Sequence, residues 1–266
     1  MAKAHSVPWT RDHQLIALNL YCKLPFGKLH SRNPIIIEIA EKMGRTANSL
    51  ALKLVNFASL DPVLQARGIK GMSGATQADR VIWEEFRKNI AVLGPQSEQL
   101  LHDVAVKNDQ EELDLLDPDQ LRFSDFAERI TEGTATVKAR RGQHFFRQSF
   151  LSAYGVACCI SGINIPELLV ASHITPWRMS REHRLDPRNG LCLSSLHDRA
   201  FDAGLITLDE NLRLVLSRQL RDLLPRNSIE QNFLQFEQTA IRLPEKVVAQ
   251  PSQIHLEYHR HNIFKE

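Results

Sequence analysis

The chain has 266 residues, 43% hydrophobic and 24% charged, which excludes a disordered or fibrous protein and leaves room for one or two globular domains. Met1 to Gln14 has no apolar stretch of the secretory kind, the longest uncharged run (Gln148 to Pro166) is broken by Ser, Gly, Asn and Pro, and the four cysteines form no C-x-x-C pair; together these argue against export, membrane insertion, a zinc ribbon or a disulfide scaffold, and for a reducing cytoplasm. The net charge of +2 conceals an asymmetry: residues 1–90 carry 13 Lys/Arg against 7 Asp/Glu, residues 91–137 carry 3 against 11, and residues 138–266 carry 17 against 13, so two basic modules suited to a polyanion flank an acidic segment that is not.

Trp9 to Lys23 places Trp9, Leu15, Leu18 and Cys22 at helical spacing, with Thr10 as N-cap. Pro25 to Gly27 interrupts it. Asn33 and Pro34 then open a second helix as cap and first residue, and Gly44 stops it. Ala47 to Leu60 reads as a third helix. Ala40 at the crossing, Gly44 at the turn and Leu50 as the locking apolar residue make the pattern of a helix-turn-helix. Its second helix is expected to offer Arg45, Asn48, Ser49, Lys53 and Asn56 to solvent, side chains suited to base edges and phosphates. The segment resembles Myb/SANT-type and winged-helix DNA-binding domains, although Arg45 stands after the turn glycine where many bacterial examples have an apolar residue. A three-helix scaffold for protein binding is the alternative. Gly68 to Gly74 reads as a wing or connector, and Asp79 to Asn89 as a short amphipathic helix with Trp83 and Phe86 in the core.

Residues 91–137 read as an acidic helical linker broken at Asp117-Pro118. Arg140 to Phe150 then reads as a basic-aromatic helix that buries Phe145, Phe146 and Phe150 and turns Arg140, Arg141 and Arg147 toward phosphate. Leu168 to Ile174 has the character of a strand with His173 near its end, Gly190 to Leu193 of a short returning strand, and Ser195 to Ala203 of a helix carrying His197. Sixteen residues separate His173 from Asn189 and eight separate Asn189 from His197, so a hairpin followed by one helix brings the three together. Leu205 to Ser217 reads as a further hairpin turning at Asp209 to Asn211. The tail is expected to hold a helix over QNFLQFEQTAI and a solvated segment with scattered histidines, His255, His259 and His261. Cys158, Cys159 and Cys192 read as buried small apolar residues.

Taken in order, the runs Leu168–Trp177, Leu185–Ser194 and Ser195–Gly204, with their Ala-Ser-His-Ile, Asn-Gly-Leu and Leu-His-Asp-x-x-Phe-Asp motifs, resemble an HNH endonuclease domain of the ββα-metal superfamily. The resemblance implies an α+β chain: a mainly helical N-terminal helix-turn-helix-like DNA-recognition domain (1–90), the acidic linker (91–137), and a ββα-metal nuclease domain with a C-terminal extension (138–266). It implies His173 as general base toward water attacking a DNA phosphodiester, Asn189 as the residue that pins the loop, and His197 as ligand of a divalent ion, Mg²⁺ or Mn²⁺. Arg45, Asn48, Ser49, Lys53 and Arg147 are the expected DNA contacts. Ser172 stands where many HNH domains have an Asp or His as second ligand, leaving that oxygen to Asn189, Asp198, Asp202 or water. The expected protein is a cytoplasmic restriction or defence nuclease acting on DNA as a homodimer, with a reader of modified bases as a variant. A catalytically silent HNH-fold regulator is the alternative.

Overall fold

The computed structural model describes residues 8–69, 74–105, 145–176, 179, 183 and 185–266. These residues fall into two compact units that divide between Ser149 and Phe150.

The first unit is helical. Helix α1 (Arg11–Lys23) starts at Thr10, whose hydroxyl accepts the His13 N–H. Helix α2 (Pro34–Lys42) is capped by the Asn33 side-chain Oδ1, which accepts the Ile35 N–H, with Pro34 in the first turn where its missing N–H costs nothing. Gly44 leaves α2 at φ +67°, a conformation that penalises a Cβ. Thr46 then caps α3 (Ala47–Leu60). After the one-turn α4 (Pro62–Ala66), the reciprocal Thr76–Asp79 capping box opens α5 (Gln77–Lys88). Helix α6 (Ile90–Ala105) packs along α1 as a full member of this unit, so the acidic segment begins inside the fold. Residues 145–153 are helical (α7), and the Phe145 ring lies over Gly94, where a Cβ would come within 2.4 Å of it.

Because α3, α5 and α6 surround α1, that helix is buried all round from Gln14 to Lys23. Its polar residues are therefore paired: Asn19 donates to Ser97 and Glu98, Tyr21 donates to Asp61 at 2.6 Å, and Lys23 forms an ion pair with Glu98. The same crowding corrects the expected solvent face of α3. Lys53 is only 6% exposed and lies 2.5 Å from the Asp79 carboxylate, and Asn56 is turned inward to the Gly74 carbonyl.

The second unit contains a ββα arrangement. Strands β1 (Leu169–His173) and β2 (Gly190–Ser194) pair antiparallel, with His173 opposite Gly190 and Leu169 opposite Ser194. Ser194 caps α8 (Ser195–Asp202), which folds back over both strands. The hairpin β3 (Ile206–Leu208) and β4 (Leu214–Leu216) makes a second small sheet. Short helices α9 (Arg218–Arg221) and α10 (Asn227–Asn232) follow, and α11 (Gln253–Asn262) packs on β3. The expected helix over QNFLQFEQTAI is largely absent. After α10 the chain makes one 3₁₀ turn and then bridges to β4, with Leu214 N–H donating to Thr239 and Gln238 N–H to Leu214. The tail is also not solvated as expected: His255 and His259 on α11 are buried. No helix among the described residues is long and apolar enough to cross a membrane.

Candidate active site

The candidate site lies where the end of β1, the start of β2 and the first turns of α8 meet. His173 ends β1, half-buried, as the last residue paired to β2. Asn189 is 1% exposed and ties the β1–β2 loop from inside. Its side-chain oxygen accepts the Thr175 N–H at 2.8 Å, and its amide donates to the Thr175 and His183 carbonyls, each at 3.2 Å. Both N–H groups and the oxygen of that amide bond to backbone, so the residue fixes the path the chain takes after His173.

His197 sits on the inner face of α8, 2% exposed, between the edges of Phe233 and Phe236. Its Nε2 faces the Asn232 carbonyl at 2.9 Å and must donate to it, which leaves Nδ1 to accept from the Ser194 hydroxyl at 2.8 Å. The Cys158 sulfur lies 3.8 Å from the same Nδ1. Both ring nitrogens are thus engaged, and a cation at His197 has to displace Ser194 or the Asn232 carbonyl.

The neighbouring residue faces the other way. The Asp198 carboxylate lies against the Ser172 hydroxyl and within electrostatic reach of His173. Burial raises the Asp198 carboxyl above its ordinary pKa, while Ser172, Arg199 and His173 pull it back. Asp202, one helical turn on, is raised first by burial and then by the charge of Asp198, with Arg199 opposing. Ser172 is 3% exposed, and its Oγ meets no partner in good hydrogen-bond geometry. The two carboxylates are one helical turn apart, and Asp202 is exposed.

Of the expected site residues, Asn189 ties the loop that follows His173 and His197 is held by Ser194 and Asn232, while Asp198 is the α8 residue within electrostatic reach of His173. Ser194 and Asn232, which hold His197, are functional neighbours that the motif alone does not reveal. Ser194 has a local signal as the residue before a helix, but Asn232, 35 residues downstream, has none.

The expected DNA contacts lie on the first unit. Asn48 is exposed, Ser49 and Arg147 are half-buried, and Lys53 is withdrawn into its pair with Asp79. Arg45 stacks 3.9 Å from the Trp9 ring and donates to the Pro8 carbonyl at 2.6 Å, so it also fastens the segment before α1. Arg140 and Arg141 lie outside the described residues.

The family model of the HNH endonuclease matches residues 158–209, which span β1, β2, α8 and β3. The chain carries an HNH endonuclease domain. No curated protein matches the chain. Among solved structures, a "Modification dependent TagI restriction endonuclease" is similar at 18% identity with a TM-score of 0.32, over 44% of this chain and 36% of that one. The likeness therefore spans about a third of that protein's own length. The matched segment lies within the second unit, and α11 lies outside that segment.

Proposed function

We propose that this HNH domain hydrolyses DNA phosphodiester bonds with His173 as general base. The observation that carries the reading is the placing of His173 at the end of β1, opposite Gly190, with the Asp198 carboxylate of α8 against Ser172 and within electrostatic reach of the His173 ring. A half-exposed imidazole at the rim of the hairpin takes the proton from an attacking water. Asn189 holds the loop that leaves His173 and so keeps the ring aimed. Asp198, with Asp202 and the Ser172 hydroxyl, provides the oxygen ligands for Mg²⁺ or Mn²⁺. When bound, that ion stabilises charge on the scissile phosphate and on the leaving oxygen. His197, boxed in by Phe233 and Phe236, anchors α8 from behind and becomes a ligand only if its ring gives up a present partner.

In this reading the first unit recognises DNA through Asn48 and Ser49 of α3 and Arg45 in the turn before it, together with Arg147. Lys53 supports α3 through Asp79. The protein is a cytoplasmic restriction or defence nuclease, and two copies acting as a homodimer cut both strands of a symmetric site.

The test is relaxation of supercoiled plasmid, methylated and unmethylated, with Mg²⁺ or Mn²⁺, comparing wild type with His173→Ala. Metal-dependent cutting that His173→Ala abolishes is expected. DNA binding without any cutting overturns the reading in favour of a silent regulator, and Ser172 before the base is the residue that favours that outcome.

A further inference from the structure

We propose that His183, Asp186 and His255 form a second metal site, for a Zn²⁺-class transition-metal ion, that ties α11 to the loop between β1 and β2. One ligand atom from each of the three residues lies within 4.8 Å of the others. His183 and Asp186 come from the loop and His255 from α11, so the cluster joins segments about 70 residues apart in sequence. Two imidazoles and one carboxylate make a borderline-soft set that selects Zn²⁺ or Co²⁺ over Mg²⁺.

The surroundings are those of a ligand set. The His255 Nδ1 lies 2.9 Å from the Thr175 hydroxyl, which fixes the ring and leaves Nε2 for the ion. The His183 and His255 rings meet edge to face with centroids 5.0 Å apart. The His183 carbonyl is held by Asn189, so the residue sits on an anchored backbone. His183 is exposed and Asp186 and His255 are buried, giving an ion entry from the solvent side and a water as fourth ligand. Asp186 is paired with Arg188, whose Nη2 lies 2.7 Å from Oδ2. That guanidinium is the competing cation, and it is exposed enough to swing into solvent when the metal enters.

The site is independent of Asp198 and of the nuclease reading. Untagged protein is loaded with Zn²⁺, desalted and assayed for zinc by mass spectrometry, with Co²⁺ replacement read by its visible tetrahedral bands. Wild type and Asp198→Asn are expected to retain one ion per chain and to melt higher with zinc than after chelation. His183→Ala, whose side chain is exposed, is expected to keep its circular dichroism spectrum but bind zinc at least roughly tenfold more weakly and lose the thermal shift. His255→Gln is expected to do the same. Absence of zinc from wild type overturns the site, and so does equal zinc binding by His183→Ala. Loss of zinc in Asp198→Asn with retention in His183→Ala also overturns it, and moves the ion to the β1–α8 site.

Discussion

The side-chain amide of Asn189 pairs with the backbone of Thr175 in both directions, accepting its N–H at 2.8 Å and donating to its carbonyl at 3.2 Å. An aspartate at this position keeps the acceptor but sets a charge against two carbonyls that now receive a donor, those of Thr175 and His183. Asn189→Asp is therefore expected to cost about 2–3 kcal/mol of stability in urea titrations, and to reduce plasmid cutting beyond that loss, because the chain after His173 is no longer fixed. An Asn189→Asp protein with wild-type cutting and stability would show that the pin is dispensable.

His173 and His197 are expected to fail differently. His173→Ala lowers the cutting rate by about 10²–10⁴-fold while leaving the melting curve in place, since the ring is half-exposed at a strand end. His197→Ala empties a buried position and orphans the Asn232 carbonyl, costing about 2–4 kcal/mol. Calorimetry alongside the plasmid assay separates the two. A His197→Ala protein that melts like wild type but has lost metal binding restores His197 as the ligand.

Asp198→Asn is expected to keep the fold and to raise the Mg²⁺ or Mn²⁺ concentration needed for half-maximal cutting by at least roughly tenfold. An unchanged metal requirement removes Asp198 from the cation site.

Lys53 gives a prediction about stability rather than recognition. Lys53→Met strands the Asp79 carboxylate in the interior of the first unit and is expected to cost about 3–5 kcal/mol. Asn48→Ala, on the exposed face, is expected to leave the melt unchanged and weaken DNA binding. If Lys53→Met weakens DNA binding with no loss of stability, the lysine reaches phosphate after all.

His259 sets an acid limit on the second unit. Burial, opposed by the bond to the Phe201 carbonyl and reinforced by Arg260, pushes its pKa down to about 4. The ring is neutral in the fold, stacked on Phe201 and 2.9 Å from the Thr207 hydroxyl, whereas the unfolded chain protonates it at about 6.5. Its contribution is whole above about pH 6.5, declines as the pH falls toward about 4, and amounts to about 3 kcal/mol over that window. Urea titrations at about pH 7 and about pH 4.5 are expected to show a smaller loss for His259→Gln than for wild type. Equal losses remove His259 as the cause.

Features with local signals were legible in the sequence. The Asn33-Pro34 cap, the turn at Gly44 and the hairpin-helix order around His173, Asn189 and His197 all depend on neighbours within a few residues or on a short hairpin. Features set by distant partners were not legible. Lys53 and Asn56 occupy polar positions of an amphipathic helix, and only the arrival of α5 with Asp79 turns Lys53 inward. The burial of His255 and His259 depends on Thr175, Thr207 and Phe201, which lie more than 50 residues upstream. Asp198 was one of several candidates for the missing oxygen, and the fold of α8 over β1 is what sets it beside Ser172.

The stacking of His259 on Phe201 bears on how such a domain can be exchanged between proteins. The segment recognised by the family model ends at residue 209, yet the ring that covers the rear of its helix comes from α11. The Lys265 N–H also donates to the Gly204 carbonyl, and the backbone of Ile263 lies so close to Gly204 that no side chain fits between them. A graft of residues 158–209 alone would carry the motif and leave an apolar wound behind it. The packing makes the stretch through α11 the unit that folds together, and a piece cut at the motif boundary is expected to keep the sequence signature without the fold.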